Sequence, residues 1–252
     1  MFRWIKQVMF SDAGAVEGTL REAVQPQLLL NEAFHEPFQF IFIAIPKTGT
    51  TSIRSQLKQV GTFLIPNPHL TALQIRDCIY PFYLLRNLEK NSKFPTRSIA
   101  TDAAIREQAR HSFASFFKFS MVRNPWARAV SLYFRKEGER VSKKMDFESF
   151  CEQHFYASDT CVHPTLQQNQ IDWLVDDNGQ CVMDYVGKLE TIEEAVREVH
   201  ERTNGRMKLA AQHSNRNPDS RANSYRDVHS ARTKKIIYQR FERDIEHFKY
   251  LF

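Results

Sequence analysis

The sequence predicts an α/β protein, a three-layer α/β/α sandwich with a mostly parallel central sheet. Two stretches carry that prediction. Residues 40–45, FIFIAI, are an unbroken apolar run rich in aromatic and β-branched side chains, which suits a central strand covered on both faces. Residues 117–122, FKFSMV, alternate and are rich in aromatics, and predict a second buried strand beside the first. Each run passes directly into a turn and then a helix. Two such strand–turn–helix units in one parallel sheet open onto the same edge, the usual place for a ligand.

The first turn is Lys47-Thr48-Gly49-Thr50-Thr51-Ser52, entered through Pro46. It supplies a cation, a glycine able to take a positive φ, four hydroxyls and several backbone N–H groups at a helix start. Unpaired amides and the positive end of the helix dipole point to one place there, and that place favours an anion. The run is not the triphosphate loop GxxxxGK[ST], because its lysine precedes the glycine. The plain alternative is an ordinary helix start with a hydroxyl N-cap. Residues 52–60 place Ile53, Leu57 and Val60 at helical spacing, and Gly61 ends that helix.

The second turn is Arg123-Asn124-Pro125. Pro125 suits the first helical position, where its missing N–H would have been unpaired anyway. Arg123 at the strand end and Ser131 two turns into the helix can converge on one phosphate, the guanidinium binding bidentately and the hydroxyl adding a donor. Arg128 reads as a structural residue.

PKTGTTS resembles the 5′-phosphosulfate loop of sulfotransferases that use 3′-phosphoadenylyl sulfate. FKFSMVRNPWARAVSLYF resembles the same family's 3′-phosphate motif, with Arg123 and Ser131 in the matching places. The likeness runs from about residue 38 to the end, with gaps in the insertions, and is closest to the carbohydrate-type branch, family 2, in a bacterial form. It implies a P-loop nucleotide-hydrolase-like fold and in-line transfer of a sulfuryl group to an acceptor hydroxyl. Lys47 would stabilise the leaving phosphate. Thr48, Gly49, Thr50, Thr51 and Ser52 would hold the 5′ end of the donor with Lys47, and Arg123 and Ser131 its 3′-phosphate. By position His69 resembles the branch's catalytic base, although a histidine at a loop-to-helix junction is by itself a cap or surface residue. Arg216 and Arg221, in a basic loop resembling the family's HxN stretch, are expected to close over the 3′-phosphate end. The resemblance implies 3′-phosphoadenylyl sulfate as donor, 3′-phosphoadenosine 5′-phosphate as product, and no required metal.

The 252 residues suffice for one domain with a sizeable core, and no linker is needed. Residues 1–37 read as a peripheral arm, and residues 86–112 and 135–170 as insertions near the acceptor cleft. The net charge of +6 favours an anionic nucleotide or equally reflects a basic solvated surface. No basic run with interleaved aromatics and no zinc or helix-turn-helix pattern supports nucleic-acid binding. Cys78, Cys151, Cys161 and Cys181 lack CxxC or metal spacing and read as free thiols in a reducing compartment. With no signal peptide, membrane span or anchor evident, the expected location is cytoplasmic. Nothing specifies an oligomeric state.

The remaining elements follow in order. Residues 62–65 read as a short strand, 69–77 and 100–113 as helices, and 176–179, DDNG, as a hairpin turn into a strand at 181–186. In HPTLQQNQIDWL, His163, Gln167 and Trp173 are candidates for the acceptor wall, with packing the default for Trp173. Glu190 reads as a site-orienting or a solvated carboxylate. Thr191 and Glu194 form a capping-box pattern, and residues 229–252 read as one amphipathic helix. The alternatives are a small-molecule kinase using ATP and Mg²⁺, which the missing GxxxxGK[ST] disfavours, and a non-catalytic nucleotide-binding relative.

Overall fold

A computed structural model describes residues 33–57, 69–93, 101–134, 141–154, 168–211 and 224–252. Its sheet has four strands in the order β1 (Phe34–His35), β2 (Phe40–Ile43), β3 (Phe117–Val122) and β4 (Tyr185–Lys188). β1 is an antiparallel edge; β2, β3 and β4 run parallel, with Phe42 opposite Phe119 and Met121 opposite Gly187. The helices are α1 (Thr50–Leu57), α2 (Ala72–Lys93), α3 (Asp102–Ser115), α4 (Pro125–Tyr133), α5 (Phe147–His154), α6 (Ile192–Arg202), α7 (Ala231–Arg240) and α8 (Glu242–Phe248).

Side-chain alternation explains why β2 is apolar throughout. Phe40, Phe42, Phe119 and Met121 meet Ile53 and Leu57 of α1 and Ile192, Ala195 and Val199 of α6. Ile41, Ile43 and Val122 belong to the larger core with Ile75 and Ile79 of α2, Ile105 of α3, Trp126 and Val130 of α4 and Ile237 of α7. Helices thus cover both faces, and each large side chain buried there stabilises the fold by about 1.5–3 kcal/mol. Gly187 belongs to the closest of these contacts. A Cβ there would lie 2.7 Å from Ala195 Cβ and 2.8 Å from Met121 Sδ, so any side chain would push α6 off the sheet.

Several local expectations are corrected. The strand placed at 181–186 begins only at Tyr185; Cys181 instead makes an isolated antiparallel bridge to Val175 across the turn at Gly179, whose φ is +76°. Thr191 makes no capping bond, because the chain leaves β4 through a 3-10 turn, Leu189–Thr191, before α6 starts. The tail is two helices broken at Phe241, whose φ and ψ of −120° and 28° leave the helical region. The helix expected at 69–77 runs on through Pro81 to Lys93, held by the burial of Ile79, Phe82 and Tyr83. The helix expected at 100–113 is present as α3, with Ile105 and Ala109 buried in the larger core. The strand expected at 62–65 lies outside the described residues.

Candidate active site

Because β2, β3 and β4 are parallel, the segments leaving their carboxyl ends share one edge. These segments carry Lys47, Arg123 and Glu190. In the first turn Lys47 has φ +68° and Gly49 φ +80°, while Thr48 between them does not take a positive φ. Such alternation of hand turns successive N–H groups toward one concavity, a backbone arrangement suited to anions. The buried Thr48 hydroxyl donates to the Ile45 carbonyl at 2.9 Å and fixes the turn to the strand end. Gly49 is required twice over, by its φ and by Leu189, whose Cδ1 would lie 2.6 Å from an added Cβ. Its carbonyl accepts from Ser52 N–H at 3.0 Å and so opens α1. Thr50 and Ser52 are buried, and Thr51 is exposed.

In the second turn Asn124 caps α4, its Oδ1 accepting from the amides of Trp126 and Ala127 at 3.0 and 3.3 Å. Pro125 occupies the first helical turn, as its chemistry predicts. The Asn124 N–H donates to Glu190 Oε1 at 2.8 Å, and Tyr250 donates its hydroxyl to Glu190 Oε2 at 3.3 Å. Glu190 therefore ties the end of β4 and the segment after α8 to the Arg123 turn.

The two turns touch. Arg123 Nη1 donates to the Lys47 carbonyl at 3.4 Å, and Arg128 Nε donates to the Pro46 carbonyl at 3.1 Å. Arg128 is fully buried, and desolvation pulls its pKa down to about 10 against the opposing pull of Asp244. That burial agrees with the structural role read from the sequence. Burial also lowers the pKa of Arg123, with Glu190 and Tyr250 pulling the other way. Among the described residues no carboxylate lies within salt-bridge distance of Arg123, so its cation is partly desolvated without a contacting counter-charge.

His69 precedes α2 and is half-buried. Its Nδ1 lies 2.6 Å from the Ala44 carbonyl, three residues before Lys47. A carbonyl only accepts, so Nδ1 carries the hydrogen, and in the neutral ring Nε2 is the basic nitrogen. The ring stands edge-on to the buried Trp173, with centroids 6.4 Å apart.

Ser131 lies on the second turn of α4, half-buried and roughly 9 Å along the helix axis from Pro125. Arg216, Arg221, His163 and Gln167 lie outside the described residues. No group of three or more potential metal ligands occurs among the described residues. Sequence reasoning missed the bridging role of Arg128 and missed Gln170 altogether, because both act on main-chain atoms distant in sequence.

Two adjoining strand–turn–helix units at one edge of a mostly parallel sheet define a class of α/β proteins whose ligands bind beyond the strands' carboxyl ends. Within that class the sequence pattern of the sulfotransferase family matches residues 33–251, and the chain belongs to that family. The protein is thus a transferase of the sulfotransferase type. No curated protein and no solved structure gave a match. No helix among the described residues is long and apolar enough to cross a membrane.

Proposed function

We propose that the protein transfers a sulfuryl group from 3′-phosphoadenylyl sulfate to an acceptor hydroxyl, with a carbohydrate as the acceptor. The observation that carries this reading is the contact between the two turns, Arg123 Nη1 against the Lys47 carbonyl. Adjoining anion-type turns suit a ligand with phosphates at both ends better than a triphosphate gripped by one loop. Lys47, Thr48, Gly49, Thr50, Thr51 and Ser52 would hold the 5′-phosphosulfate, Arg123 and Ser131 the 3′-phosphate, and Arg216 and Arg221 would close that end. The fold inferred with this reading is the three-layer, P-loop nucleotide-hydrolase-like sandwich, which helices on both faces of the sheet support.

The donor supplies an already activated sulfuryl group. The chain's part is to orient it and to manage charge and a proton. His69 Nε2 takes the acceptor hydroxyl's proton as the new S–O bond forms. Lys47 neutralises the charge that grows on the bridging oxygen as the old S–O bond breaks. The carbohydrate acceptor, a bacterial origin and a cytoplasmic location rest on the sequence reading.

Calorimetry with 3′-phosphoadenosine 5′-phosphate and with ATP plus Mg²⁺ tests the donor. The bisphosphate is expected to bind and ATP to bind far more weakly; the reverse order would favour the kinase. A labelled-donor screen across glycans, lipids and small alcohols tests the acceptor, with label expected on a glycan in the presence of a chelator. Transfer to none of them would favour a non-catalytic relative.

A further inference from the structure

Gln170 is fully buried, and among the described residues its side chain bonds to polar atoms remote in sequence. Its Oε1 accepts from the Arg123 N–H at 2.9 Å, and its Nε2 donates to the Arg123 carbonyl at 2.8 Å. A single primary amide thus meets both main-chain groups of the residue just past β3, as a neighbouring strand would. Nε2 also donates to Asp244 Oδ2 at 3.2 Å. That carboxylate, wholly buried on α8, further accepts from the main-chain amides of Gln170 at 2.7 Å and Ile171 at 2.9 Å. An acceptor-only group beside Nε2 fixes which end of the amide carries the hydrogens. The break at Phe241 that splits the tail into two helices is what allows α8 to start afresh and bring Asp244 to this point.

We propose that Gln170, oriented by Asp244, is a positioning residue for the donor's 3′-phosphate. It acts through Arg123, whose main chain it clamps and whose guanidinium direction it thereby sets. This rests on the reading of Arg123 as the 3′-phosphate ligand. Arg123 has no helix around it and lies between a strand end and the cap of α4. Holding both of its main-chain groups is therefore the direct way to aim a long, rotamer-rich side chain. A small error of aim at such a site is costly, because bidentate bonds need both N–H groups in place.

The test compares two probes, 3′-phosphoadenosine 5′-phosphate and adenosine 5′-phosphate, by calorimetry on the full chain. Wild type is expected to prefer the first, and Arg123→Ala to abolish the preference; if either fails, the 3′-phosphate reading of Arg123 falls, and this inference with it. Gln170→Met keeps the volume and removes the clamp. It should weaken the bisphosphate by about tenfold and leave adenosine 5′-phosphate unchanged, and it should add nothing in an Arg123→Ala background. With the Arg123 result as expected, an equal loss for both probes, or no loss for either, would overturn the positioning role alone. If Gln170→Met does not fold, Gln170→Asn, which keeps an amide but withdraws it from Arg123, carries the same comparison with the same outcomes.

Discussion

The guanidinium of Arg123 rests on the main chain of Lys47, its Nη1 donating to the Lys47 carbonyl at 3.4 Å across 76 positions of sequence. Lys47 holds φ +68°, a left-handed conformation costing an L-residue roughly 1–2 kcal/mol. The carbonyl that Arg123 holds thus belongs to the strained residue, so the second turn helps keep the first in shape. Among the described residues that bond is the one side-chain bond of the five-donor Arg123 fork, which suits the proposed 3′-phosphate ligand.

Strain at Lys47 separates its effect on stability from its effect on turnover. Lys47→Gly relieves the left-handed conformation and should melt no lower than wild type. Removal of the charge should still cost about 3–4 kcal/mol of transition-state stabilisation, two to three orders of magnitude in turnover. Lys47→Ala should lose the same turnover without the relief. Thermal melting and labelled-donor turnover of both variants check this, and near-normal transfer by either removes Lys47 from the chemistry.

For His69, the bond from Nδ1 to the Ala44 carbonyl makes Nε2 the basic nitrogen of the neutral ring, as the proposed base requires. His69→Ala should lower turnover by about 10²–10⁴ and remove the acidic limb of the pH–rate profile. His69→Gln, which keeps a donor toward Ala44 but no base, should match His69→Ala. A pH–rate profile unchanged in both variants would assign the base elsewhere.

Gly49 combines φ +80° with Leu189 at 2.6 Å from the position of an added Cβ. Gly49→Ala should cost about 1–2 kcal/mol from the backbone alone, lowering Tm by roughly 2–8 °C, with a further loss from the Leu189 clash. In a Leu189→Ala background the clash disappears and the backbone loss stays. Comparing the fall in Tm caused by Gly49→Ala in the two backgrounds measures each part; an equal fall would show that Leu189 yields without cost.

Both strand–turn units were legible because their signals are local. An apolar run, a proline at the first helical position and a glycine that must take positive φ are each read within a few residues. β1 was not legible, since a two-residue strand carries no periodicity. The length of α2 was hidden by Pro81, which reads as a stop although tertiary burial of Ile79, Phe82 and Tyr83 carries the helix through it. Gln170 and Asp244, 74 positions apart, have no sequence signature for their pairing. The expected box at Thr191 and Glu194 matched a pattern, but the 3-10 turn presenting Glu190 to Asn124 displaced it.

His229 supplies a pH dependence of stability. It is buried, with Nε2 3.1 Å from the Trp126 carbonyl and Nδ1 3.1 Å from Thr233 Oγ1, and its ring packs against Phe147 and Phe252. Desolvation lowers its pKa below the ordinary 6.5, which outweighs the opposing bond to Trp126. The folded state therefore binds fewer protons than the unfolded state. The stabilisation is fully present above 6.5 and is lost as pH falls through the depressed value. Melting between about pH 7 and pH 5 should fall more steeply in wild type than in His229→Gln. Parallel curves would show that the histidine is not the titrating group.

A crystal structure with 3′-phosphoadenosine 5′-phosphate bound is the most direct measurement. One nucleotide should bridge the two turns, its 5′-phosphate among the amides of residues 47–52 and its 3′-phosphate against the Arg123 guanidinium and the Ser131 hydroxyl. A nucleotide touching only one turn, or lodged away from the carboxyl edge of β2 and β3, would contradict the reading.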